Sequence, residues 1–181
     1  MKTLSAIVAE PGGKAVPPTP GSFEHFFLTQ YPQLVRVAYA VVRDTHLAED
    51  VAQDVLVAAE RRFAGHYGDH AAAWARVAAS HLALNALRSQ KRRDQRELAG
   101  ASSRQSTGPE DAALGHDMET SVRAALARLP RHAATVLVLR HSGLSYAEVA
   151  QAMGVKTGQV GTMLRRAEAA LRKELDRAAR P

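Results

Sequence analysis

A capping signal, a glycine and a second helical stretch follow one another in the C-terminal third of the chain. Ser145 and Glu148 have the spacing of a capping box, which predicts a short helix that ends before Gly154. A second helix is predicted from about Thr157, because apolar residues recur there at helical spacing: Val160, Leu164, Ala167, Leu171 and Leu175. Two helices joined by a short glycine turn form a helix-turn-helix.

The neighbouring segments complete this unit. Pro130 suits a first helical turn, and residues 131–140 predict a supporting helix. Seven basic and three acidic residues between Lys156 and Arg180 give that segment a net charge of +4. Side chains able to reach base edges or phosphates are predicted on the outer face of the last helix: Lys156, Thr157, Gln159, Thr162, Arg165 and Arg166. The alternative is a helical hairpin with a solvated basic face, but the order of these signals favours DNA binding.

The remainder of the chain also has helical periodicity, which predicts an all-α fold of two small helical domains. Residues 1–21 are rich in proline and glycine and predict a disordered tail. Residues 98–117 are rich in glycine and serine and predict a flexible linker. The two domains are then expected at 22–97 and 118–181.

Three helices are predicted in the N-terminal domain. Pro32 is expected to break or kink the first, and the second begins near Asp44 or Thr45. Apolar residues of the third helix, which begins near Ala71, are expected to face inward: Trp74, Val77, Ala78, Leu82 and Leu84. The second helix carries an acidic and polar face, and the third ends in a basic segment.

Composition excludes several classes of protein. The 181 residues are 46% hydrophobic, which excludes disorder throughout, and the net charge of +6 favours a polyanionic partner. Without cysteine there is neither a disulfide framework nor a thiolate zinc site. No apolar run approaches the ~20 residues of a membrane-spanning helix, and no export signal is recognisable, so we expect a cytoplasmic protein without membrane insertion.

Several stretches resemble bacterial sigma factors of the small, two-domain extracytoplasmic-function kind. The Ala48-Glu49-Asp50 step, followed by Gln53 and Asp54, resembles the family's second conserved region. Residues 74–79 and 82–88 look like its promoter-melting helix. Leu129-Pro130, residues 136–140 and residues 143–150 closely resemble its fourth region. The resemblance covers residues 22–96 and 118–176 in the family's order.

The resemblance implies a role for each surface. The second helix would dock on the clamp helices of the polymerase β′ subunit through its polar face: Glu49, Asp50, Gln53 and Asp54. The third helix would contact and melt the minus-10 element through one aromatic, one amide and three basic side chains: Trp74, Asn85, Arg88, Lys91 and Arg92. The C-terminal domain would read the minus-35 element.

The implied partners are core RNA polymerase, including its β subunit, and promoter DNA, with an anti-sigma factor as a further partner that the family often implies. The implied function is promoter-specific initiation in a stress or envelope response, without catalysis or a cofactor. The chain departs from the family where Ser80-His81 replaces a common Arg-Asn, where Asn85 replaces an acid, and at Gln159, Gly161 and Met163. Promoter contacts are expected to differ there.

Other interpretations remain open. Residues 22–97 could instead sense a signal or dimerise, which would make the chain a stand-alone helix-turn-helix regulator. The acids of the second helix could be an ordinary solvated first turn, and Trp74 could be a core anchor. A metal site is not expected, because Gly68 lies between His66 and His70 and no matching carboxylate cluster follows.

Overall fold

The structure, a computed structural model, describes residues 18–100 and 110–179, with no side chains described at 94, 95, 97–100 and 110–117. Those residues form seven helices and no strand, which confirms the predicted all-α fold. The helices are α1 (Phe23–Val42), α2 (Thr45–Phe63), α3 (Asp69–Gly100), α4 (Glu110–Arg128), α5 (Arg131–His141), α6 (Tyr146–Met153) and α7 (Thr157–Ala178). Residues 1–17 of the tail predicted at 1–21, and residues 101–109 of the predicted linker, lie outside the described residues.

Helix α1 is continuous through Pro32, so the predicted break is wrong. Proline removes the N–H that would bond to the carbonyl of Leu28. Leu28 and Pro32 are both exposed, so water can reach that side of the helix. Beyond the proline, Leu34 and Val37 are fully buried and hold the helix in place.

The first three helices pack together as a bundle. The Asp44 carboxylate accepts a 2.9 Å hydrogen bond from the Leu47 amide and so caps α2. Helix α3 faces the core with a stripe of alanines at four-residue spacing: Ala71, Ala75, Ala79 and Ala83. Leu84 is buried as predicted, but Leu82 is 39% exposed, so its inward placement was wrong. Small side chains let α3 approach its neighbours closely, and that decides which face is buried.

The helix-turn-helix is confirmed in the C-terminal half. The Ser145 amide donates to the Glu148 carboxylate at 2.9 Å, while the Glu148 amide donates to the Ser145 hydroxyl at 3.3 Å. Gly154 ends α6 in the left-handed conformation, with φ of 66°, which favours glycine. Helix α7 then buries Val160 and Leu164 against the core.

Helix α5 lies at the centre of the molecule. All six residues from Ala134 to Leu139 are buried, because α7, α6, α3 and α1 surround this helix. Through α5 the two halves share one apolar core. Helix α3 continues to Gly100 and α4 begins at Glu110, so helix extends into both ends of the segment predicted as a linker.

Candidate nucleic-acid and polymerase interfaces

The start of α7 presents every residue predicted to contact the minus-35 element. Lys156, Thr157 and Gln159 are exposed at the N-terminus of the helix, and Thr162, Arg165 and Arg166 are exposed on the following turns. On the opposite side, buried Val160, Leu164 and Ala167 fix the helix to the core. A rigidly mounted helix with exposed polar and basic residues can enter a major groove.

Gln159 has a structural task as well as a predicted DNA contact. Its side-chain oxygen accepts a 3.0 Å hydrogen bond from the Lys156 amide, which satisfies one of the free N–H groups at the start of α7. Its NH₂ group remains available as a donor to an acceptor on a base edge. Further along, Arg165 donates to the Thr162 hydroxyl at 3.4 Å, which brings these two predicted contacts together.

Tyr146 belongs to the same surface, although sequence analysis treated it only as part of a motif. Its side chain is 45% exposed, and the Arg140 guanidinium lies 5.6 Å from the ring centroid. Its ring also faces Gly161, where an added Cβ would lie 3.8 Å from the Tyr146 Cε2 atom. An exposed aromatic residue in the first turn of α6 is the signal that could have identified it.

Replacing Gly161 with alanine should stabilise the protein. Glycine inside a helix costs about 1 kcal/mol relative to alanine, and a distance of 3.8 Å from Tyr146 is an ordinary contact. We expect the free energy of unfolding of Gly161→Ala to rise by about 1 kcal/mol, with Tm up by about 2–4 °C, measured by circular dichroism. Gly158→Ala, in the first turn with nothing within 4 Å, should stabilise less. A lower Tm for Gly161→Ala would show that Tyr146 cannot accommodate the methyl group.

The polar face of α2 is accessible as predicted. Asp50, Gln53 and Asp54 are exposed, and Glu49 is half-buried beside α1. Val57 lies one turn further along and is 47% exposed, which adds an apolar residue that sequence analysis did not single out. Its position three and four residues after Asp54 and Gln53 is the signal that could have found it.

An aromatic pair on α1 borders this face. Phe27 and Tyr31 stack with ring centroids 5.4 Å apart and an interplanar angle of 12°. Burial raises the pKa of the Tyr31 phenol, and the nearby Glu49 carboxylate raises it further, while the Gln53 side chain acts in the opposite direction. Tyr31 therefore stays protonated beside the acids of α2 and can donate a hydrogen bond.

Trp74 packs as a partly buried anchor. Its ring meets Phe63 edge to face, with centroids 5.5 Å apart, and the Arg62 guanidinium lies 5.5 Å from its centroid. These contacts favour the core interpretation over base stacking. Asn85 and Arg92 are exposed on a different side of α3 from the alanine stripe, and Arg92 donates to the Ser89 hydroxyl at 2.9 Å.

Arg88 and Lys91 are half-buried against α4. Burial, and then the charge of Arg128, lower the pKa of the Lys91 ammonium. Burial, followed by the charges of Arg131 and Arg88, likewise lowers the pKa of His81. The five predicted minus-10 residues therefore divide into three environments: exposed Asn85 and Arg92, half-buried Trp74, and the pair against α4.

Among the described residues there is no cluster of three or more histidine, aspartate or glutamate side chains that could hold a metal ion. Within the same residues, no helix combines the length and the apolar character that crossing a bilayer requires.

Two family models match the chain. The model for Sigma-70 region 2 matches residues 26–93, and the model for Sigma-70, region 4 matches residues 119–171. The first match includes the acidic face of α2 and the start of the basic end of α3. The second includes the helix-turn-helix with the exposed start of α7.

Individual relatives cover most of the chain. The RNA polymerase sigma-H factor of Pseudomonas aeruginosa is 29% identical over 166 residues, which are 85% of this chain and 86% of the relative. The ECF RNA polymerase sigma factor SigW of Bacillus subtilis is 25% identical over 164 residues, 79% of this chain and 83% of that one.

A solved structure is also similar to this chain. It is the co-crystal structure of the sigma factor RpoE with the anti-sigma factor NepR from Bartonella quintana, which matches with a TM-score of 0.46 and 24% identity over 87% of this chain and 98% of that one. The family models together match both helical halves of the chain, in the order expected from its motifs. The chain belongs to the sigma-70 family of RNA polymerase sigma factors.

Proposed function

We propose that this sigma factor directs core RNA polymerase to promoters by using three separate surfaces. The observation that carries the proposal is their placement: the acidic face lies on α2, the basic end on α3, and the exposed polar start on α7. A bridging subunit needs one surface for its protein partner and others for DNA. The chain catalyses no reaction itself and works in the cytoplasm, where it meets the polymerase.

The start of α7 reads the minus-35 element in the major groove. Gln159 donates to an acceptor on a base edge through the NH₂ group that its capping role leaves available. Arg165 and Arg166 bind phosphates or guanine, both of which match the fork of the guanidinium group. Tyr146, held by Arg140, extends this surface from α6.

The polar face of α2 docks on the clamp helices of the β′ subunit. Asp50 and Asp54 supply exposed charge, which steers a basic partner and fixes the register of docking. Val57 supplies apolar area, and Tyr31 supplies a phenol that remains protonated. A mixed face of this kind is typical of protein interfaces, where an apolar centre is surrounded by a polar rim.

The solvent-facing side of α3 engages the minus-10 element. Asn85 can hydrogen-bond to an exposed base, and Arg92 can bind a phosphate. Trp74 supports this helix from the core and does not stack on bases. Ser80 is fully buried and donates to the Val77 carbonyl at 2.8 Å, so it cannot replace the arginine that relatives commonly have there.

Reconstituted transcription tests the proposal. Core polymerase with the full-length chain should produce specific transcripts from a subset of genomic promoter fragments, and polymerase alone should not. Arg165→Ala/Arg166→Ala should reduce those transcripts at least about tenfold while polymerase binding persists, because both residues are exposed on α7 and are not part of the proposed docking face on α2. The absence of a specific transcript from every fragment would contradict the proposal and favour a stand-alone regulator.

A further inference from the structure

The side-chain amide of Gln159 is held in one orientation at the start of α7. Its Oε1 atom accepts a 3.0 Å hydrogen bond from the Lys156 amide, and its own backbone amide donates to the Lys156 carbonyl at 2.9 Å. Two hydrogen bonds thus join these residues across the first turn of the helix. A backbone N–H can only donate, so the side-chain atom that meets it must be the oxygen and not the nitrogen.

The end of the helix stabilises this orientation. The first N–H groups of an α-helix lack partners within the helix, and the side chain three residues after the N-cap can reach back to the N–H of the N-cap residue. Lys156 occupies the N-cap position of α7, and a lysine side chain cannot accept a hydrogen bond. Turning the Gln159 amide over would place its NH₂ group against the Lys156 N–H, donor against donor, and would lose the bond.

The NH₂ group is therefore the part of Gln159 that is presented to DNA. Gln159 is exposed, and Thr162 and Arg166, three and seven positions later, are exposed on the same face of α7. A glutamine with both amide atoms free can pair with adenine, because it donates to N7 and accepts from the N6 amino group. Gln159 cannot make that pair while its oxygen is directed at the backbone.

We infer that the bond to Lys156 makes Gln159 a reader that only donates, so that it selects guanine in the minus-35 element and excludes cytosine. Guanine presents two adjacent acceptors in the major groove, N7 and O6, whereas cytosine presents only the donor group at N4. Adenine and thymine offer one acceptor each and rank between them. The inference rests on the proposed function, in which the start of α7 lies in that groove, and it adds the base that this residue selects.

Gln159→Glu reverses the polarity of the reading group and keeps the cap. Glutamate is a usual residue at this position of a capping box, and negative charge near a helix N-terminus is favourable. One carboxylate oxygen should still accept from the Lys156 amide, so Tm measured by circular dichroism should not fall. The other oxygen replaces the NH₂ group and can only accept, so it should favour cytosine and reject guanine. A lower Tm would contradict the capping role.

The measurement uses the full-length chain bound to core polymerase. A promoter that this holoenzyme transcribes is varied at every base pair of the minus-35 element, and sequencing of the bound DNA gives the relative affinity for each base. We expect one position where the unchanged protein prefers guanine to cytosine at least about fivefold and where Gln159→Glu prefers cytosine at least about fivefold. Gln151→Glu, the same change at an exposed position in the last turn of α6, should leave every preference unchanged.

Gln159→Ala separates this inference from the proposed contact. It removes the cap and the reading group together, so the preference for guanine should fall to within about twofold of the other bases. If it does so while Gln159→Glu still prefers guanine, the residue contacts the base but the inferred orientation is wrong. If neither variant alters a preference at any position, Gln159 reads no base, and the inference is overturned. Transcription that depends on Arg165 and Arg166 would still support the rest of the proposed function.

Lys156→Pro removes the N–H that orients Gln159. Proline suits this backbone, because Lys156 has φ of −74° and ψ of 143°, and Pro130 occupies the N-cap position of α5 with φ of −53° and ψ of 140°. With its oxygen released, Gln159 can pair with adenine, so the ratio of adenine to guanine binding should rise at least about threefold. Loss of the Lys156 charge weakens binding to all sequences alike and does not change this ratio. An unchanged ratio in the folded variant overturns the inference.

Discussion

Reversing the charge of Asp50 and Asp54 should weaken the binding of this sigma factor to core polymerase by about 100-fold. Both carboxylates are exposed on α2, one helical turn apart, at the centre of the proposed docking face. Placing like charges against each other across an interface costs several kcal/mol, and about 3 kcal/mol corresponds to this factor. The affinity of labelled Asp50→Lys/Asp54→Lys for core polymerase measures the effect.

The double variant should fold normally. Lysine is a better helix former than aspartate, and both positions lie beyond the first turn of α2, where the helix dipole has little effect. Glu168→Lys/Asp176→Lys makes the same charge change on exposed positions of α7 and should leave polymerase affinity within about threefold. Equal affinities for the two double variants would favour the stand-alone regulator.

The helix-turn-helix could be predicted because its signals are local. The capping box joins residues three apart in sequence, and Gly154 adopts the left-handed conformation that favours glycine. Backbone rules within one turn fix both features, whatever packs around them. The exposed start of α7 follows from the same pattern, since burying Val160 and Leu164 turns the polar residues outward.

The inward face of α3 could not be predicted in the same way. Alanine occurs on several sides of this helix, so its apolar pattern does not select one face. Packing selects the Ala71 to Ala83 stripe, and Leu82 remains 39% exposed. Pro32 shows the same limit of local rules. The hydrogen bond that proline removes is local. Helix α1 continues past Pro32 because Leu34 and Val37 are buried, and their burial depends on the whole bundle.

The environment of Arg88 and Lys91 depends on contacts between distant parts of the chain. The basic segment at the end of α3 predicted contact with the minus-10 element, and no local signal distinguishes the basic residues that face solvent from those that face α4. The acceptors of Arg88 lie 39 and 41 residues away in sequence. They are also backbone carbonyls, which every residue has, so no side-chain pattern marks them.

Replacing Leu139 with alanine should destabilise the protein by about 2–5 kcal/mol. Leu139 is fully buried on α5, and truncating a buried leucine loses transfer free energy and leaves a cavity. For a chain of this size, a loss of 3 kcal/mol lowers Tm by about 6–12 °C. Urea denaturation followed by circular dichroism measures the loss. Leu28→Ala, which removes the same atoms from an exposed position of α1, should cost less than about 1 kcal/mol.

The number of unfolding transitions is a second measurable consequence of the central position of α5. Because α5 packs against α3 and α1 as well as α6 and α7, we expect one transition that shifts as a whole in Leu139→Ala. Equal stabilities for Leu139→Ala and Leu28→Ala would contradict the central position of α5. Two transitions, of which only one shifts, would show that the halves unfold separately despite their shared apolar core.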